Sequence, residues 1–138
     1  MPYRILIADD ALMNRKLIRN ILEEHLEDVI FEEAENGVQV LSHVANNTID
    51  LIILDLVMPE LDGYETLKQL KSDARFSDIP VIVNSAITEI HSIENILKEG
   101  AIDYFTKPLS IDDMRIKLPL KARNALTLHA QQQTIKAL

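Results

Sequence analysis

Five times along this chain, a short apolar run is followed by a longer stretch with apolar residues at helical spacing. The clearest runs are Ile5–Ala8, Leu51–Leu54 and Pro80–Val83, with Ile102–Phe105 broken only by Asp103 and a fainter run at Val29–Phe31. Runs this short, without polar alternation, suit strands buried on both faces of a parallel sheet. The intervening stripes read as helices: Met13, Leu17, Ile18, Ile21 and Leu22; Val38, Leu41, Val44 and Ala45; Tyr64, Leu67 and Leu70; Ile90, Ile93, Ile96 and Leu97. Asn36 with Gln39, Asp62 with Glu65, and Ser110 with Asp113 are spaced as helix caps, and Gly100 falls where the fourth helix should stop. Successive strand–helix units predict an α/β fold, a five-stranded parallel sheet with helices on both faces joined by right-handed crossovers.

Residues after Ser110 are organised differently. Pro119 removes a backbone donor and is expected to interrupt the last helix. The division expected is one domain over residues 1–120 and a C-terminal helical extension or linker over 121–138, with a frayed tail as the alternative. A chain of 138 residues is long enough for one such core.

An open α/β sheet binds ligands beyond the C-terminal ends of its strands. The first strand delivers Asp9 and Asp10 there, the third Asp55, the fourth Asn84-Ser85-Ala86 and the fifth Thr106-Lys107-Pro108. Clustered carboxylates repel one another unless a cation neutralises them. Oxygen donors without His or Cys favour a hard cation such as Mg²⁺, with Asp10 and Asp55 as direct ligands and Asp9 acting through water. Asp55 is then the candidate nucleophile for a phosphoryl group, with Lys107 supplying a mobile positive charge and Ser85 a hydrogen bond. Singly, each of these residues reads as an ordinary cap or turn former.

Composition narrows the field further. The net charge of −8 disfavours direct nucleic-acid contact by this domain. Cysteine is absent, which excludes thiol catalysis and Cys-ligated metals. No run approaches membrane-span length and the N-terminus does not read as a signal peptide, so a cytoplasmic location without membrane contact is expected.

Taken with Leu54-Asp55-Leu56-Val57-Met58-Pro59, Asp62-Gly63, Ser85-Ala86 and Gly100-Ala101 through Tyr104 to Lys107-Pro108, the pattern resembles the receiver domain of two-component response regulators over Tyr3 to Leu120. The resemblance implies a flavodoxin-like, doubly wound sheet of order 2-1-3-4-5. It implies that Asp55 is the phosphoacceptor, that Asp10, Asp55 and the Val57 carbonyl hold Mg²⁺ with Asp9 in the outer shell, and that Lys107 and Ser85 contact the phosphoryl group. It also implies a cis bond before Pro108, a switch formed by Ser85 and Tyr104, and an output face on the fourth helix, fifth strand and fifth helix, where receivers commonly dimerise. The partners implied are a histidine kinase or phosphotransfer protein and a downstream output domain.

On this reading the chain is no enzyme in its own right, though it promotes its own phosphoryl transfer onto Asp55. Val57 and Ile87 are apolar where an attacking water would be oriented, so slow self-dephosphorylation is expected. A haloacid dehalogenase-type phosphatase would need an acidic residue at Val57, and a flavodoxin-like cofactor carrier would need a Ser/Thr-rich phosphate loop where Asp9 and Asp10 stand. A phosphorylation-independent protein-binding module with the same fold is the remaining alternative.

Overall fold

The computed structural model describes the backbone of residues 2–85, 90–106 and 111–138, and their side chains except at 85, 90–92 and 106. Strands β1 (Tyr3–Ala8), β2 (Val29–Ala34), β3 (Leu51–Asp55), β4 (Val81–Ser85) and β5 (Asp103–Thr106) alternate with helices α1 (Leu12–His25), α2 (Gly37–Asn46), α3 (Gly63–Ser72), α4 (Ile90–Lys98) and α5 (Ile111–Ala137). All strand pairings are parallel, in the order β2-β1-β3-β4-β5. This is the architecture expected from the alternating apolar pattern.

The alternation of side chains along each strand divides the interior in two. Leu6, Ala8, Ile52, Leu54, Val81 and Val83 point to the side carrying Val40, Val44, Leu67, Leu70 and Ile96 of α2, α3 and α4. Ile5, Ile7, Leu51, Ile53, Ile82 and Phe105 point to the other side, against Ile18, Ile21 and Leu22 of α1 and Met114, Leu118, Ala122, Ala125 and Leu126 of α5. Strand β3 is buried along its whole length, because it lies at the centre of the sheet between β1 and β4.

The predicted caps of α2 and α3 form. Asn36 Oδ1 accepts the Gln39 amide at 2.9 Å, and Asp62 Oδ1 accepts the Glu65 amide at 2.9 Å. Gly100 takes φ +112° after α4, and Ala101 N–H reaches back to the Ile96 carbonyl at 3.2 Å, closing the helix with a left-handed residue. The cap predicted at Ser110 lies outside the described residues.

Two expectations change. Helix α5 is not interrupted at Pro119 but runs for 27 residues. The proline withholds a hydrogen bond from the carbonyl of Arg115 one turn earlier, while Leu118, Pro119 itself and Ala122 are buried, so packing on the domain holds the helix across the gap. Residues beyond Leu120 remain packed on the domain through Ala122, Ala125 and Leu126, and His129 Nε2 lies 3.2 Å from Asp50 Oδ1. The inward stripes also shift: Val38 and Met13 are exposed, while Val40 and Arg15 are buried. No described helix is long and apolar enough to cross a membrane.

Candidate functional site

Strand order reverses between β1 and β3, so the crevice of this sheet opens where those two strands end. Asp9 and Asp10 follow β1, and Asp55 is the last residue of β3. One carboxylate oxygen from each comes within 4.8 Å of the others, with Asp9 and Asp55 buried and Asp10 exposed. Such a set of three oxygen donors, with no nitrogen or sulfur among them, fits a hard divalent cation. Residues that the sequence separates by more than forty positions are thus brought to one point by the parallel register of Ala8 on Leu54.

The loops are shaped to hold this point. Asp9 Oδ1 accepts the Ala11 amide at 2.9 Å, which turns the chain from β1 into α1. Asp55 Oδ1 lies 3.3 Å from the Val57 amide, a long contact that tethers the β3–α3 loop to the carboxylate. Gly63 N–H donates to the Leu56 carbonyl at 2.9 Å. A Cβ on Gly63 would stand 2.2 Å from the Asp55 carbonyl oxygen, so only glycine lets α3 start this close to the end of β3. Glu60, in the same loop, has φ +64°. The Val57 side chain is 71% exposed and presents an apolar surface at the mouth of the site.

On the other flank, Asn84 pairs with Asp55 across β3 and β4, and Phe105 pairs with Asn84 across β4 and β5. Register partners on parallel strands point to the same face, so the Asn84 amide lies beside the Asp55 carboxylate on the α1–α5 side. Asn84 is 3% exposed, and its Oδ1 has no hydrogen-bond partner among the described residues. Tyr104 is half-buried and packs against the α2–α4 core, and its neighbour Asp103 is bound by Lys121 of α5 at 2.8 Å. Ser85 closes β4 in register with Thr106. The Ser85 side chain, Ile87, Lys107 and Pro108, to which roles were assigned above, lie outside the described residues.

Sequence reasoning missed one prominent residue. Arg15, 6% exposed, sends Nη1 to the Asp9 carbonyl at 2.7 Å and Nε to Glu33 Oε1 at 3.0 Å. Its position among polar neighbours in α1 gave no apolar signal of burial. The clue available was its place in the first turn of the helix that follows the two aspartates.

With this geometry in view, comparison with known proteins is decisive. Residues 5–118 match the family described as the response regulator receiver domain. The chain belongs to that family. It is 42% identical over 114 residues to a protein-glutamate methylesterase/protein-glutamine glutaminase of Trichodesmium erythraeum, covering 80% of this chain and 32% of that protein. It is 36% identical over 118 residues to the response regulator MprA of a Mycobacterium species, covering 86% of this chain and 50% of that protein. To the chemotaxis protein CheY of Bacillus subtilis it is 36% identical over 113 residues, which are 81% of this chain and 91% of that one. The receiver domain of Francisella response regulator 1452 superimposes with TM-score 0.79 at 31% identity, covering 91% of this chain and 97% of the other. This receiver therefore spans a third to a half of the length of the first two relatives.

Proposed function

We propose that this receiver domain takes a phosphoryl group on Asp55 and passes on the change through its α4–β5–α5 face. The observation that carries this reading is the convergence of Asp9, Asp10 and Asp55, in a chain belonging to the receiver family. An Asp55 carboxylate oxygen attacks phosphorus; the P–N bond to a donor phosphohistidine breaks; its electron pair stays on the imidazole nitrogen, which then takes a proton. Such transfer depends on positioning and charge neutralisation more than on covalent assistance.

Asp10, Asp55 and the Val57 carbonyl would hold Mg²⁺ directly, and Asp9 through water. The ion supplies neutralisation of the carboxylates and of the incoming phosphoryl oxygens. The chain's own part is to fix Asp55 at the end of a fully buried strand and to keep bulk water off its inner side. Lys107 and Ser85 receive the phosphoryl oxygens, and Tyr104 follows Ser85 inward. Exposed Leu97, Ile102, Ile116 and Leu120 give the output face apolar surface for homodimerisation or for an output domain. A histidine kinase or phosphotransfer protein is the donor, and the domain works in the cytoplasm.

The test is incubation with Mg²⁺ and acetyl phosphate followed by intact mass. Wild type gains one phosphoryl group and Asp55→Ala gains none. An equal gain in both, or none in either, rejects the reading, and the second result leaves a protein-binding module that works without phosphorylation.

A further inference from the structure

We infer that Arg15 is a positioning residue for the cation site, acting through the peptide that joins Asp9 to Asp10. The inference rests on the metal reading above and adds a residue to it. The β1 ladder to β3 ends at Ala8, so the Asp9 carbonyl has left the sheet, yet Asp9 is only 1% exposed. A buried carbonyl needs a donor. Arg15 Nη1 supplies it at 2.7 Å, while Asp9 N–H is held by the Ala34 carbonyl at 3.0 Å. The carbonyl so held belongs to the Asp9–Asp10 peptide, and its plane sets the direction in which Asp10 leaves the strand. One guanidinium therefore orients the backbone that carries two of the three carboxylates.

A guanidinium buried here is balanced from behind. Glu33 accepts Nε at 3.0 Å, and Glu35 lies 3.7 Å from Nη2. Arg19 holds Glu33 from its other side at 3.3 Å. Burying a charge without such partners is costly, and the planar fork of arginine binds the carbonyl and Glu33 simultaneously in a way lysine does not. The sign of the charge makes the role separable. A cation beside a divalent cation site weakens metal binding by repulsion, so Arg15 as a mere charge would oppose Mg²⁺. Arg15 as an orienting group favours it.

Mg²⁺ titration by calorimetry of the full chain distinguishes these. Arg15→Met is expected to raise the Mg²⁺ dissociation constant about tenfold or more, as loss of an outer-shell partner does. An unchanged or lower constant, in a variant with the circular dichroism of wild type, overturns the inference. If Arg15→Met does not fold, Arg15→Lys decides: it keeps the charge and loses the fork, so the constant rises, and an unchanged value overturns the inference. If wild type itself gives no Mg²⁺ heat, the metal reading fails separately. The orienting role is then read from amide exchange in EDTA. The Ala11 amide, held by Asp9 Oδ1, should exchange faster in Arg15→Met, or in Arg15→Lys where Arg15→Met is not folded, and no acceleration rejects the role.

Discussion

Gly63 lies against the backbone of Asp55, with room for a hydrogen and none for a methyl group: an added Cβ would stand 2.2 Å from the Asp55 carbonyl oxygen and 2.5 Å from the Leu56 Cα. Both neighbours are backbone, so neither yields by rotating a side chain. Gly63→Ala should push the β3–α3 loop away from the strand and cost about 1–3 kcal/mol, the usual penalty of overpacking. Urea unfolding measures the stability loss, and the rate of acetyl phosphate labelling should fall with it. An alanine variant of wild-type stability would mean that the loop gives way more easily than its hydrogen bond to Leu56 implies.

Asn84 makes the opposite demand. Its Oδ1 is buried beside Asp55 without a partner among the described residues, and an unsatisfied buried acceptor costs about 1–3 kcal/mol. Replacing Asn84 with valine, which suits a central strand, should therefore stabilise the fold by about 1 kcal/mol. A shift of the urea midpoint to higher concentration is the expected result; a shift to lower concentration would show that the amide is satisfied in solution.

Lys71 carries a pH signature. Burial lowers the pKa of its ammonium below the ordinary 10.5, while Nζ donates to the carbonyls of Ser77 at 3.0 Å and Ile79 at 2.7 Å. A base with a depressed folded pKa binds fewer protons folded than unfolded, so stability rises with pH across the window from the lowered value up to 10.5. Below that window the desolvation penalty is present in full. Subtracting the pH–stability profile of Lys71→Met from that of wild type should leave a positive slope confined to the alkaline side. A flat difference would contradict it.

The residues beyond Leu120 contribute to folding. Ala125 and Leu126 are buried with Ile5, Ile7 and Ile53, and Lys136 pairs with Asp78. Cutting the chain after Leu120 should cost about 3 kcal/mol or more, comparable to removing a large buried side chain. Thermal unfolding of the shortened and full chains measures this, and equal midpoints would assign those residues to a passive tail.

Val57 should prolong the phosphorylated state. Its exposed isopropyl group at the mouth of the site orients no water, so hydrolysis of the acyl phosphate should take minutes or longer with Mg²⁺ present. Val57→Asn should shorten that lifetime, as followed by loss of the phosphoryl mass. A wild-type lifetime of seconds would remove the basis for this prediction.

Much of the fold could be read from the residues because a sheet buried on both faces leaves apolar runs, unbroken in β1, β3 and β4 and interrupted in β5 only by Asp103. Strand β2 was faint for a physical reason: it is an edge strand paired only to β1, and Ile30 faces water. The three aspartates were legible because parallel strands with helices between them must deliver their C-terminal ends to one side. Arg15 was not, since periodicity treats a charge as surface and cannot foresee a carbonyl that needs a donor. The helical course through Pro119 was hidden likewise: the proline rule describes the lost hydrogen bond but not the packing of Leu118, Pro119 and Ala122 that holds the helix across it.

Helix α5 begins after β5, whose Phe105 pairs with Asn84, and finishes past the start of β3, where His129 meets Asp50. At 1.5 Å per residue its length is about 40 Å. Met114, Leu118 and Leu126 fasten it along one side to the core, so it spans the sheet as one continuous element. By length alone, a tilt of a few degrees at its first turn would become a displacement of ångströms at its last, so any motion imposed at one end of the sheet would be felt at the other without a charge having to cross the domain.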